Sequence, residues 1–111
     1  EVVTVGSFGT IPADQAQALA TVLNELVANS VEHGLAGRDG RIEVGVVREG
    51  DSLVITVADD GVGFEPGSPM TGLGTQIVQQ MVRGELGGTI DWSLRPEGGT
   101  LVTLKMRVEG D

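Results

Sequence analysis

The sequence predicts an α+β fold, a two-layer α/β sandwich in which helices cover one face of a mixed, mostly antiparallel sheet, and three observations predict it. Apolar residues follow a 3.6-residue period from Ala16 through Leu19, Val22, Leu23, Leu26 and Val27, the buried stripe of a helix. Ile42, Val44 and Val46 alternate with Glu43, Gly45 and Val47, and Leu53, Ile55 and Val57 do the same beyond Glu49-Gly50-Asp51, which reads as a β-hairpin. A second alternating pair, over 89–94 and 100–108, brackets Pro96-Glu97-Gly98-Gly99. Helices that interrupt such hairpins segregate to one face of the sheet they form.

The elements follow in order. Residues 1–8 alternate weakly around Val3, Val5 and Phe8, a short strand that Gly9-Thr10-Ile11-Pro12 breaks. Pro12 suits an early helical position, where its missing N–H would have no intrahelical partner. The long helix that follows can stop at Gly34 or Gly37, since glycine takes the left-handed conformation that ends helices. The first hairpin delivers Asp59 to the sheet edge. A Gly/Pro-rich loop then runs from Gly61 to Gly72, and a second helix spans 73–82 with Ile77, Val78 and Met81 as its buried face. No internal repeat, linker or low-complexity segment interrupts the chain.

Composition narrows the function classes. A chain of 111 residues is a single domain, 1–111, with one core. Without cysteine it has no disulfide framework, no thiolate nucleophile and no zinc-thiolate site, which fits a reducing compartment; a single histidine excludes a multi-histidine metal site. The net charge is −9, and one lysine and six arginines are scattered, so no basic stripe is available for nucleic acid or an anionic membrane. A polyphosphate ligand would have to be held by backbone N–H groups, helix N-termini and a divalent cation, which makes magnesium the expected metal. No apolar run reaches the roughly 18 residues of a membrane span, and the first residues lack a signal-peptide pattern.

Three stretches carry the chemistry. Glu25, Asn29 and His33 advance only about 40° per step and lie along one flank of the long helix, so they can serve one ligand. There the carboxylate of Glu25 can orient or deprotonate an attacking group, the amide oxygen of Asn29 can complete the oxygen shell of a magnesium ion, and His33 can touch a phosphate or adenosine. The same residues also suit a solvated helix face with a histidine near its end. In Asp59-Asp60-Gly61-Val62-Gly63-Phe64 an apolar strand runs into an acidic glycine turn. An aspartate at a strand terminus can accept a hydrogen bond from the exocyclic amine of adenine, and Gly61 and Gly63 let the backbone approach the base; an ordinary acidic turn is the competing reading. The stretch is not the dinucleotide fingerprint, since Pro66 stands where the third glycine belongs. Gly72-Leu73-Gly74-Thr75 opens the second helix, where free N–H groups and the helix dipole can receive an anion.

Taken in order, these motifs resemble those of the Bergerat-fold (GHKL) ATPases, the superfamily of gyrase, the large heat-shock chaperones, the mismatch-repair protein MutL and sensor histidine kinases. Glu25 through His33 look like the N box, 59–63 like the first glycine box, 72–74 like the second, and Gly99-Thr100 like the final Gly-Thr. The resemblance implies that Glu25 positions or activates the reacting group, Asn29 binds magnesium, Asp59 reads adenine with help from Thr100, and 64–71 forms the lid over the phosphates of ATP. Phe64, Gly72, Leu73, Gly74 and Thr75 are the further ATP contacts it implies.

Within the superfamily the chain looks most like the catalytic ATP-binding domain of a bacterial sensor histidine kinase with a short lid. That resemblance implies a cytoplasmic fragment of a longer kinase, soluble or membrane-anchored. The domain would donate the γ-phosphoryl to a histidine on a dimerisation domain, with a response regulator downstream. Nucleic acid and direct membrane contact are not expected. Glu32 stands where many such kinases carry a lysine or arginine, which puts one phosphate contact in doubt. An anti-sigma-factor serine kinase shares the same boxes, and a degenerate ATP-binding regulatory domain is the non-enzymatic alternative.

Overall fold

The computed structural model describes residues 2–29, 40–60, 73–96 and 98–108. Strand β1 (Val2–Val5) precedes the long helix α1 (Ala13–Asn29); β2 (Ile42–Glu49) and β3 (Ser52–Asp59) form the first hairpin; α2 (Leu73–Gln80) is followed by β4 (Thr89–Leu94) and β5 (Thr100–Arg107). The strands form one sheet in the order β1-β2-β3-β5-β4. Only β1 and β2 pair in parallel; the other contacts are antiparallel, as the hairpin patterns require.

Alternation along the strands sorts the side chains onto two faces. Leu53, Ile55 and Val57 of β3 are buried, as are their register partners Val44 and Val46 of β2 and Val102, Leu104 and Met106 of β5. This face packs in one core with Ala18, Leu19, Val22 and Leu26 of α1 and with Val78, Val82 and Leu86. The intervening residues Val54, Thr56 and Ala58 are only partly covered, and Val47 is exposed. The helices therefore lie on one face, as the sequence predicts.

Three boundaries differ from the sequence expectation. Pro12 stands one residue outside α1, and its carbonyl accepts the first helical hydrogen bond from the Ala16 N–H at 2.9 Å, so proline serves as the cap and not as the first helical residue. The second helix does not stop at Val82. It widens into a π-helical turn over Met81–Glu85, closed by the Leu86 N–H on the Met81 carbonyl at 3.0 Å. That turn keeps Val82 and Leu86 in the core, while Ile77, expected on the buried face, is exposed. Finally, Asp59 ends the middle strand of the sheet and has neighbours on both sides, so it sits at a strand terminus and not on a sheet edge. The possible helix stops at Gly34 and Gly37 lie outside the described residues.

Two polar buckles tie the ends of the layers together. Arg48 donates from Nε to the Gly50 carbonyl (2.6 Å) and from Nη1 to the carbonyls of Phe8 (2.6 Å) and Thr10 (3.1 Å), fastening the β1–α1 connection to the first hairpin. Gln15, buried in the first turn of α1, donates from Nε2 to the Arg107 carbonyl at 3.2 Å. It anchors the start of α1 beside the end of β5, the residue that pairs with Ser52 at the start of β3.

Candidate nucleotide site

Among the described residues, Asp59 is the one buried carboxylate. Its side chain follows Leu53, Ile55 and Val57 onto the helix-covered face and is only 1% exposed. Burying a carboxylate is costly unless hydrogen bonds replace its water. Here the Thr100 N–H donates to Oδ1 at 3.2 Å. Thr100 itself is buried, and the strand register explains the meeting, since Ala58 pairs with Leu101 and the next positions are Asp59 and Thr100. The structure thus brings together two of the residues singled out from the sequence.

The backbone of Asp59 is held as firmly as its side chain. The Arg95 guanidinium donates from Nη1 to the Asp59 carbonyl at 2.7 Å. Gly99, at φ +96°, packs so closely that a Cβ there would fall 2.0 Å from the same carbonyl oxygen. On the other side, the Asp60 N–H donates to the Arg41 carbonyl at 3.3 Å, and the Arg41 N–H returns a bond to Asp60 Oδ1 at 2.9 Å. Sequence reading did not single out Arg95 or Arg41. The strand register was the usable signal: Leu94 pairs with Thr100, so the residue after Leu94 necessarily lies near the end of β3.

Glu25 lies in the last turns of α1 and is half-buried, bordering the stripe that contains Val22 and Leu26. Asn29 is the last residue of α1. Leu73, Gly74 and Thr75 form the first turn of α2, so the second glycine motif does open a helix. His33, Gly61, Gly63, Phe64, Gly72, Glu32 and the lid segment 64–71 lie outside the described residues. Among the described residues no three histidine, aspartate or glutamate side chains gather as a metal cage, and no helix is long and apolar enough to cross a membrane.

Residues 14–110 match the family described as Histidine kinase-, DNA gyrase B-, and HSP90-like ATPase. The chain belongs to that family. Membership implies nucleotide binding and bears out the family resemblance read from the sequence.

The chain is 36% identical over 109 residues to the sensor histidine kinase PdtaS of Mycobacterium tuberculosis, covering 94% of this chain and 22% of that protein. It is 28% identical over 96 residues to the sensor histidine kinase BtsS of Escherichia coli, covering 83% of this chain and 17% of that protein. It therefore spans about a fifth of the length of these curated relatives. Among solved structures, the histidine kinase domain of the blue-light activated kinase of Erythrobacter litoralis superposes with a TM-score of 0.84 at 24% identity, over 96% of this chain and 54% of that one. The nucleotide-free catalytic domain of histidine kinase ThkA gives 0.79 at 21% identity, over 99% and 79%. The fold of this chain therefore matches that of histidine kinase catalytic domains.

Proposed function

We propose that this family member binds ATP with magnesium and donates the γ-phosphoryl to a histidine on a separate dimerisation domain, as the phosphodonor half of a two-component sensor kinase that serves a response regulator. The observation that carries the reading is the buried Asp59 carboxylate, held on one oxygen by the Thr100 N–H at the end of the central strand. A carboxylate fixed in this way is matched to a neutral donor such as the exocyclic amine of adenine, and it rejects bases that present a carbonyl at that position.

The geometry of α1 supports a shared site. Gln15 fastens the helix start near the beginning of β3, and from Gln15 to Asn29 the helix rises about 21 Å, close to the roughly 23 Å that β3 covers from Ser52 to Asp59. A helix running along the strands from that anchor would bring Glu25 and Asn29 toward the Asp59 end. The amide oxygen of Asn29 is a hard donor suited to magnesium, which when bound would neutralise phosphate charge. Phosphate oxygens of the nucleotide would supply much of the metal's remaining oxygen shell. Glu25, half-buried one turn before Asn29, orients the acceptor imidazole or takes its proton. The first turn of α2 offers N–H groups to phosphate oxygens, a means of holding an anion that suits a chain of net charge −9.

The test is phosphorylation of the full-length protein with γ-labelled ATP. Acid-labile, base-stable phosphate is expected, and its formation should require magnesium. Acid-stable phosphate on a partner serine would point to an anti-sigma-factor type of kinase, and absence of both nucleotide binding and labelling would leave a regulatory domain.

A further inference from the structure

We infer that Arg95 is a positioning residue for base recognition, acting on the nucleotide through the Asp59–Asp60 peptide; the inference rests on the reading of Asp59 as the adenine acceptor. The peptide between these two residues is gripped at both ends. Its carbonyl accepts from Arg95 Nη1 at 2.7 Å, and its N–H donates to the Arg41 carbonyl at 3.3 Å. With both ends fixed, rotation about the Cα–C bond of Asp59 is restrained, and the orientation of the peptide plane relative to the side chain is set.

Arg95 also belongs to the turn that touches the carboxylate. The Arg95 N–H donates to the Gly99 carbonyl at 3.0 Å and the Gly98 N–H to the Arg95 carbonyl at 3.0 Å, closing the β4–β5 connection. The same connection presents the Thr100 N–H to Asp59 Oδ1 at 3.2 Å. One short turn therefore holds Asp59 by its main chain through Arg95 and by its side chain through Thr100. A bond from a guanidinium to a carbonyl is charge-assisted and stronger than the neutral bond from the Asp60 N–H to the Arg41 carbonyl, so Arg95 is the stiffer of the two grips on the peptide. Without it, the carbonyl can swing, and the carboxylate shifts relative to the base by the few tenths of an ångström that recognition does not tolerate.

This role makes a prediction that a purely structural arginine does not. Losing Arg95 should weaken recognition of the exocyclic amine specifically and leave the rest of the nucleotide's affinity in place. The full-length protein and its Arg95→Ala and Arg95→Lys variants are titrated with magnesium and either ATP or purine riboside triphosphate, which lacks that amine, and each variant is also melted thermally. The wild-type protein should prefer ATP by about tenfold, the worth of one hydrogen bond to a charged group. In Arg95→Ala the preference should collapse to within about twofold through weaker ATP binding, with affinity for the analogue nearly unchanged. Arg95→Lys, which retains a cationic donor and guards against a variant that fails to fold, should recover part of the preference. An unchanged preference, or equal losses for both ligands that track the fall in melting temperature, overturns the inference. A wild-type protein that binds neither ligand instead removes the adenine reading beneath it, and the inference with it.

Discussion

Gly98 and Gly99 provide an internal control for how tightly the β4–β5 turn packs on Asp59. Both have positive φ, +104° and +96°, so alanine at either position carries a conformational cost of about 1–2 kcal/mol. Their surroundings differ. A Cβ on Gly98 meets nothing within 4 Å, whereas one on Gly99 would lie 2.0 Å from the Asp59 carbonyl oxygen, 2.8 Å from its carbon and 3.1 Å from Oδ1. Backbone must therefore move in Gly99→Ala, and forcing an atom into packed surroundings costs a further ~1–3 kcal/mol. Gly98→Ala should thus lose about 1–2 kcal/mol and Gly99→Ala about 3–4 kcal/mol. At roughly 4 °C per kcal/mol for a domain of this size, the two melting temperatures should separate by about 8 °C. Urea titration followed by circular dichroism measures the same difference through the midpoint shift at constant slope. Only Gly99→Ala should also weaken ATP binding, because the atoms it displaces belong to Asp59. Equal stability losses for the two variants, or unaltered ATP affinity in Gly99→Ala, would refute the close packing of the turn on the carboxylate.

Other substitutions separate chemistry from architecture. Glu25→Gln keeps the size and polarity of a half-buried side chain, so it should leave ATP affinity within about threefold while cutting phosphoryl transfer at least ~100-fold, as judged by initial labelling rates. Arg48→Ala removes the bonds to Phe8, Thr10 and Gly50 and should cost about 2 kcal/mol. Hydrogen exchange should show faster exchange of the β1 amides than of those in β3. Leu26→Ala empties a site only 1% exposed between α1 and the sheet, and should lower stability by about 3 kcal/mol in chemical denaturation.

Much of the architecture was legible because its signals are periodic. The alternation over 42–47 and 53–57 marks the central hairpin, and the β3 register carries that alternation without a break to Asp59. The stripe read from Ala16 to Val27 falls within α1, with Leu19, Val22 and Leu26 buried and Leu23 and Val27 partly so, but Ala16 is exposed and the adjacent Ala18 is buried in its place. What sequence missed was set by tertiary contact. The period alone places Ile77 with Val78 on a buried face, but the π-helical turn at Met81–Glu85 directs Val82 and Leu86 into the core, and Ile77 remains exposed. Asp59 was legible as a candidate site residue from its place before the glycine turn, and Thr100 as its candidate helper from the family resemblance, and the structure brings the two into contact. Arg95 was not, because an arginine before a Pro-Glu-Gly-Gly turn has no local signature, and its role exists only once β3 and β5 pair. The glycine boxes at 61–63 and 72 and His33 were read from the sequence, and they lie outside the described residues.

A shared site requires residues from the end of α1 and the end of β3 to hold one nucleotide. Isothermal titration with a non-hydrolysable ATP analogue, with and without magnesium, tests that most directly in the wild-type protein and in Asp59→Asn and Asn29→Asp. Asp59→Asn should lose about tenfold or more in affinity whether or not magnesium is present, since an amide cannot replace both acceptor oxygens. Asn29→Asp should alter only the magnesium-dependent part. Wild-type protein that binds the analogue while both variants bind it equally well would contradict the shared site, and absence of binding by the wild type would contradict the account as a whole.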